Sequence, residues 1–78
     1  MPGRRRRSEV GADLEAIGNR IRQVRARATQ TDFARVLRIS QAQLSKYELG
    51  QTAPPLGVLL RVAKLNRKTV DWLLTGQE

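Results

Sequence analysis

The sequence predicts an all-α domain built from five short helices. Apolar residues recur at intervals of three and four along most of the chain, and no segment alternates apolar and polar residues with a period of two. Threonine and serine stand where two of these apolar patterns begin, as expected of residues that cap helices. The chain has 78 residues, a length that allows one small domain, which we expect to occupy residues 12–78.

The segment before this domain has a different composition. Residues 1–11 contain the run Arg4–Arg7, and Val10 is their only aliphatic residue after Met1. Such a segment buries too little apolar surface to offset the entropy that it loses on ordering. We therefore predict a flexible basic N-terminal arm over residues 1–11.

The first helix is predicted from an apolar face with spacings of three and four, formed by Leu14, Ile17, Ile21, Val24 and Ala28. Gly18 lies inside this helix, where glycine costs up to ~1 kcal/mol relative to alanine. Either Gly18 permits the close approach of another backbone or the helix simply tolerates it.

Two capping patterns close together predict the second and third helices. Thr29 precedes Asp32 by three residues, and Ser40 precedes Gln43 by the same interval. This is the spacing of the capping box, in which a hydroxyl and an acidic or amide side chain satisfy backbone N–H groups at a helix start. The two helices are joined by a tight turn around Arg38-Ile39, and Ile39 has the spacing of a hydrophobic staple to the third helix.

The other helices follow from apolar spacing and from glycines at their ends. The third helix is predicted to bury Leu44 and Tyr47 and to end at Gly50. The fourth helix is predicted to place four apolar residues on one face, Leu56, Leu59, Leu60 and Ala63. The fifth is closed by Gly76 and contains Val70, Trp72, Leu73 and Leu74.

Composition limits the classes of function. The chain has 15 Lys and Arg residues against 7 Asp and Glu, a net charge of +8, which favours a polyanionic partner such as nucleic acid or an anionic membrane surface. Histidine and cysteine are both absent, which excludes disulfides, thiolate or imidazole metal sites and histidine-based catalysis. We expect no enzymatic activity, cofactor or metal. No apolar run approaches ~18 residues, and we expect a cytoplasmic, nucleoid-associated protein.

The chain from Ile17 to Gly76 resembles the DNA-binding domain of phage repressors and Cro proteins, the XRE-like helix-turn-helix family. The matching segments are Ile17-x-x-x-Ile21-Arg22-x-x-Arg25, Thr29-Gln30-x-x-Phe33-Ala34, Ile39-Ser40-Gln41-x-x-Leu44-Ser45-x-Tyr47-Glu48-x-Gly50, Pro54-x-Leu56-x-x-Leu59-Leu60-x-Val62-Ala63 and Asp71-Trp72-Leu73-Leu74-x-Gly76. The resemblance implies a compact five-helix lambda-repressor-like fold in which the third helix enters the major groove of double-stranded DNA.

The resemblance also implies which residues contact DNA. The outward face of the third helix would contact bases through Gln41, Ala42, Ser45 and Lys46. Gln30 would bind a phosphate and brace Gln41, and Arg25 would pair with Glu48. Further phosphate or bracing contacts are expected from Thr29, Thr31, Arg38, Gln43, Gln51 and Thr52.

Some of these residues also have a purely structural interpretation. Capping alone explains Gln43, and Lys46 could be a solvated side chain. Tyr47 and Trp72 are expected in the core rather than on a base-stacking surface, because both lie on apolar faces. The arginines of the first helix have three possible roles: a solvated side chain, a salt bridge or a position at the border of the DNA. These residues are Arg20, Arg22, Arg25 and Arg27.

The sequence departs from the family pattern in three places. The connection before Thr29 is about two residues shorter than usual. Arg38 stands where many members have a glycine in the left-handed conformation, which costs a non-glycine residue about 1 kcal/mol or more. Either the turn adapts or Arg38 accepts the strain and gains a phosphate contact. After the fourth helix, Leu65-Asn66-Arg67-Lys68 replaces a more apolar stretch.

These observations predict a sequence-specific double-stranded DNA-binding transcriptional regulator. We expect a repressor that binds a palindromic operator as a homodimer, with half-sites about 34 Å apart. The same fold leaves open an antitoxin, a restriction-modification controller protein or the DNA-binding part of a longer product. Two other classes are a protein-protein adaptor on the same scaffold and a membrane-surface protein that uses the arginine arm.

Overall fold

Five α-helices and their connections make up residues 13–77, the part of the chain that this computed structural model describes. The helices are α1 (Leu14–Arg25), α2 (Gln30–Leu37), α3 (Gln41–Glu48), α4 (Leu56–Leu65) and α5 (Val70–Thr75), and this range contains no strand. The all-α prediction is therefore confirmed. The predicted arm over residues 1–11 lies outside the described residues. None of the five helices is long and apolar enough to cross a membrane.

Every helix contributes to one small core. α1 packs against α3 and α5, while α2 packs against α3 and α4. The buried apolar side chains are Ile17, Ile21, Phe33, Ala34, Leu37, Leu44, Tyr47, Val58, Leu59, Val62, Ala63 and Leu73. Tyr47 therefore lies in the core as expected. Trp72 is half-buried at its edge, with the Lys68 ammonium 4.8 Å from the centre of its ring.

Side chains cap the starts of α2 and α3, as the sequence predicts. The Ser40 hydroxyl accepts from the Gln43 backbone N–H at 3.0 Å, and the Ser40 N–H donates to the Gln43 Oε1 at 3.1 Å. This completes the predicted capping box. At α2 the Thr29 hydroxyl accepts from the Asp32 N–H at 3.1 Å. The Asp32 carboxylate lies instead 3.5 Å from Arg35 Nη1, so only the threonine half of that box forms.

A tight turn closes the short connection between α1 and α2. The helix ends at Arg25, and Ala28 is exposed beyond it, so the prediction that Ala28 continues the apolar face of α1 is wrong. Ala26 has φ 53° and ψ −119°, the angles of the first central residue of a type II′ turn. The Ala28 N–H donates to the Arg25 carbonyl at 3.0 Å, and Arg25 Nη1 donates to the Ala28 carbonyl at 2.8 Å. This turn therefore reverses the chain within a connection that is about two residues shorter than the family pattern.

The turn between α2 and α3 keeps its left-handed residue, although that residue is an arginine. Arg38 has φ 64° and ψ 39°. The Arg38 N–H donates to the Arg35 carbonyl at 3.1 Å, and the Ile39 N–H donates to the Ala34 carbonyl at 3.0 Å. These two bonds form the Schellman motif that ends many helices. Of the two outcomes considered from the sequence, Arg38 accepts the strain and the turn does not adapt.

Glycine at either strained position is expected to stabilise the protein. We expect Ala26→Gly and Arg38→Gly each to raise the free energy of unfolding by about 0.5–1 kcal/mol, because glycine has no steric cost at positive φ. Urea denaturation of the two variants measures this. Gly50→Ala is the matched control and should destabilise the protein, since Gly50 has φ 75°. A loss of stability in both glycine variants would contradict the assignment of strain.

The buried face of α4 differs from the one that the sequence predicts. Leu56 is 64% exposed and Leu60 is 44% exposed, so their predicted place on the apolar face is wrong. The core face consists of Val58, Leu59, Val62 and Ala63. These residues also have spacings of three and four, and α4 has more apolar residues than one face can bury. Spacing alone therefore fits two overlapping faces, and only the packing against α2 and α5 selects one.

Two arginines each bond a backbone carbonyl in the last turn of another helix. Arg20 Nη1 of α1 donates to the Leu73 carbonyl of α5 at 3.0 Å, and Arg61 Nη1 of α4 donates to the Leu37 carbonyl of α2 at 3.0 Å. Carbonyls in the last turn of a helix have no partner within the helix and favour positive charge. Arg20 is thus a structural residue that caps α5.

Candidate nucleic-acid interface

α3 has a buried face and an open face. Leu44 and Tyr47 are buried, and they pack beside Ala34 of α2, which is 2% exposed. A small side chain at position 34 allows the axes of α2 and α3 to come close. The open face carries the predicted base-contact residues: Gln41, Ala42 and Lys46 are exposed and Ser45 is half-buried. Their exposure agrees with the sequence analysis, and their contact with DNA stays a prediction.

Gly18 lets α1 lie directly against the C-terminal end of α3. A Cβ atom at position 18 would stand 2.5 Å from the Tyr47 carbonyl oxygen and closer still to the Glu48 carbonyl oxygen. Real Cβ atoms do not approach backbone so closely, so only glycine fits. The interpretation that Gly18 permits a close backbone approach is confirmed. The close packing brings Arg25, at the end of α1, within reach of Glu48.

A half-buried Arg25 and a buried Glu48 form a salt bridge with two hydrogen bonds. Arg25 Nε lies 2.6 Å from Glu48 Oε2, and Arg25 Nη2 lies 3.0 Å from Glu48 Oε1. The Glu48 side chain is only 2% exposed. The pairing that the resemblance implies is therefore confirmed. The hydrogen bond to Glu48 and its charge raise the pKa of Arg25 above its ordinary value. With Glu48 ionised, the stabilisation is fully present at neutral pH, and the titration of Arg25 removes it only as the pH rises from the ordinary pKa of arginine through the raised one.

Two glutamines extend this salt bridge to the open face of α3. Gln30 Nε2 donates to Glu48 Oε1 at 2.9 Å, and Gln41 Nε2 donates to Gln30 Oε1 at 2.6 Å. Arg25, Glu48, Gln30 and Gln41 thus form a continuous series, which we call the side-chain relay. It contains the predicted brace between Gln30 and Gln41. The bond between Gln30 and Glu48, which joins the brace to the salt bridge, was not predicted.

The other predicted site residues divide into two groups. Thr29 and Gln43 bond helix N-termini through their side chains, so the capping role considered for Gln43 is present. The remaining ones are exposed side chains near the ends of α2 and α3, and they are Thr31, Arg38, Gln51 and Thr52. Phosphate contacts by both groups stay predictions. Within residues 13–77, no group of three potential metal ligands comes together.

The architecture defines the class of protein. A capped helix with an open polar face crosses a second short helix at a tight turn, within a bundle of five helices. This is the helix-turn-helix arrangement of DNA-binding transcription regulators. A family model described as Helix-turn-helix matches residues 21–73. The chain belongs to this family, in its XRE or Cro/CI type, whose members are typically DNA-binding regulators rather than enzymes.

Solved structures show the same fold. The chain is similar to the phage P22 c2 repressor in complex with a synthetic operator, with 28% identity and a TM-score of 0.71 over 78% of this chain and 96% of that one. The DNA-binding domain of the same repressor in solution gives 28% identity and a TM-score of 0.70, with coverage of 81% and 86%. The clp gene regulator ClgR from C. glutamicum is 28% identical, with a TM-score of 0.66 over 78% of this chain and 82% of that one. Among curated proteins no sequence matches.

Proposed function

We propose that this protein is a sequence-specific transcriptional repressor that binds a palindromic operator in double-stranded DNA as a homodimer. The observation that carries the proposal is the open polar face of α3, on which Gln41 is already held in place by Gln30 at 2.6 Å. The likeness to the P22 c2 repressor, which was solved with an operator, supports it. Such a protein acts at the chromosome, in the cytoplasm.

The side chains on the open face suit the major groove, where each base pair presents a distinct set of donors and acceptors. Gln41 is suited to adenine, which offers one donor and one acceptor. Lys46 is suited to the O6 and N7 acceptors of guanine, and the Ala42 methyl group to the methyl group of thymine. Ser45 can donate to or accept from either kind of base. We assign sequence preference to these four residues.

Contacts with the DNA backbone would position α3 in the groove without selecting sequence. The N-termini of α2 and α3 carry free N–H groups and a partial positive charge, both of which favour phosphate. We assign phosphate contact or bracing to residues near the helix ends, namely Thr29, Gln30, Thr31, Arg38, Gln43, Gln51 and Thr52. The arginine arm adds affinity through unspecific attraction.

Replacing Gln41 or Lys46 is expected to change preference at one base pair each. We expect Gln41→Ala and Lys46→Ala to lower discrimination at their own position by about 1–3 kcal/mol, the value of a good two-bond contact. Selection from a random duplex pool, followed by binding titrations, measures this. Gln23→Ala, at an exposed glutamine of α1, is the matched control. An equal loss on every duplex for the Gln41 variant would show that the assignment is wrong.

Deleting residues 1–7 is expected to weaken binding to all duplexes alike. The deletion removes the four arginines Arg4–Arg7. For each phosphate that the arm neutralises, its removal should reduce the slope of log affinity against log salt by about 0.9, because fewer counterions are released. Titrations at several salt concentrations measure this slope, and replacement of the same arginines by glutamine controls for chain length. A changed base preference would show instead that the arm contacts bases in a groove.

The dimer and the class are tested by the same DNA. Sedimentation of the protein with and without the selected duplex gives its oligomeric state, and a two-fold symmetric site with half-sites about 34 Å apart is the expected product of selection. An antitoxin or a restriction-modification controller would also select an operator. Selection that returns no preferred sequence would contradict the proposal and favour a protein-protein adaptor.

A further inference from the structure

We propose that Glu48, a buried residue at the far end of the side-chain relay from the open face, determines which base Gln41 prefers. It would act through Gln30 and would never touch DNA. The inference rests on the proposed function, because it requires Gln41 to contact a base. It concerns the direction of each hydrogen bond in the relay.

The Glu48 carboxylate fixes the orientation of the Gln30 amide. An ionised carboxylate only accepts hydrogen bonds, and the two bonds from Arg25 keep Glu48 paired to a cation. Gln30 must therefore turn its NH₂ group toward Glu48, as the 2.9 Å distance from Nε2 to Oε1 shows. With its nitrogen directed inward, Gln30 presents its oxygen toward Gln41.

The Gln30 oxygen in turn fixes the orientation of Gln41. An oxygen accepts, so Gln41 must approach it with the NH₂ group, and Nε2 lies 2.6 Å from Gln30 Oε1. An amide NH₂ has two hydrogens. Gln41 therefore keeps one N–H donor and its oxygen acceptor for the groove. The buried charge has set the order of donor and acceptor on an exposed side chain.

One donor beside one acceptor matches adenine and opposes guanine. Adenine presents the N6 donor and the N7 acceptor, so it can form two bonds with this arrangement. Guanine presents two acceptors, O6 and N7, so the Gln41 oxygen would face an oxygen. If Gln30 turned round, Gln41 would accept from it and could direct both hydrogens at guanine. Loss of the fixed direction should therefore weaken the preference for adenine over guanine.

The first test replaces the carboxylate by an amide of the same shape. In Glu48→Gln the residue can donate or accept, so Gln30 and Gln41 are free to take either direction. We expect the preference for adenine over guanine to fall about tenfold at the base pair that Gln41→Ala identifies. The preference at the Lys46 position should stay unchanged. In ¹⁵N NMR spectra, the two hydrogens of the Gln41 side-chain amide should become less different in chemical shift, because neither is held on Gln30 all the time.

A second variant interrupts the relay without removing the buried charge. Gln30→Met keeps the Arg25–Glu48 pair, and the methionine side chain has a similar length. It has no amide group, so it cannot fix the orientation of Gln41. We expect the same fall of about tenfold in adenine preference, and an unchanged preference would overturn the inference even if Glu48→Gln does not fold. Gln23→Met, at an exposed position of α1 outside the relay, should leave the preference unaltered.

The two variants together separate the relay from a general structural effect. If Glu48 acts through Gln30, adding Glu48→Gln to Gln30→Met should cause no further change in adenine preference, because coupled residues are not additive. An unchanged preference in Gln30→Met, or a further fall in the double variant, would overturn the inference while leaving the proposed function intact. A Gln41→Ala variant without a position-specific effect would overturn both.

Discussion

Gly18→Ala is expected to lower the free energy of unfolding by about 3 kcal/mol or more, which is at the upper end for overpacking. The new methyl group would stand 2.5 Å from the Tyr47 carbonyl oxygen and 2.8 Å from the Glu48 carbonyl carbon. These are backbone atoms of α3 and its end, which cannot rotate away as a side chain would. Because domains of this size are stabilised by only about 4–12 kcal/mol, the variant should lose a large share of its stability.

Gly57→Ala is the matched control for this variant. Gly57 also lies in a helix, and a Cβ atom there would meet nothing within 4 Å. We expect it to be neutral or to stabilise the protein by up to ~1 kcal/mol, since alanine is the better helix former. Urea denaturation followed by circular dichroism compares the two. Similar midpoints for both variants would show that α1 and α3 are not in close contact.

Arg25→Met is expected to lower the free energy of unfolding by about 3–5 kcal/mol, because an unpaired buried charge is strongly destabilising. The variant leaves the Glu48 carboxylate, which is 2% exposed, without its cation. Arg35→Met is the matched control, because the side chains of Arg35 and its partner Asp32 are 75% and 67% exposed. Exposed pairs of this kind contribute about 0–1 kcal/mol.

A double variant distinguishes the cost of the stranded charge from the value of the pair itself. Arg25→Met combined with Glu48→Leu removes both partners, and apolar residues in place of a buried ion pair are often nearly neutral. We expect the double variant to be more stable than Arg25→Met alone. Equal losses in Arg25→Met and Arg35→Met, measured by urea denaturation, would contradict the burial of the Glu48 charge.

Much of the fold follows from local signals in the sequence. The spacing of Ile17 and Ile21 in α1, and of Leu44 and Tyr47 in α3, identifies the buried faces because each helix has few apolar alternatives. In α4 the same method selects Leu56 and Leu60 wrongly, because apolar residues surround most of that helix. The burial of α4 is decided by the helices that pack on it. The type II′ turn at Ala26 is likewise a result of packing, since alanine has no preference for positive φ.

The candidate site could be predicted residue by residue but not as a connected whole. The resemblance implies the Arg25–Glu48 pair and the Gln30–Gln41 brace, and both are present at hydrogen-bond distances. The bond between Gln30 and Glu48 joins side chains 18 positions apart. Neither residue type predicts that bond, because glutamine can donate or accept. Which group of Gln30 faces Glu48 is determined only when α1, α2 and α3 bring the Arg25–Glu48 pair beside the Gln30 amide.

The relay divides the open face of α3 into a residue that bonds neighbouring helices and residues that do not. Ala42 and Lys46 are exposed and stand outside the relay, so under the proposed function we expect substitutions at either to alter operator choice without disturbing folding. Gln41 shares its hydrogen bonds with Gln30 and, through it, with the charge that holds α1 to α3. Replacing Gln41 would also leave Gln30 Oε1 without this donor, so under the proposed function we expect a new base preference at that position to involve Gln30 as well as Gln41.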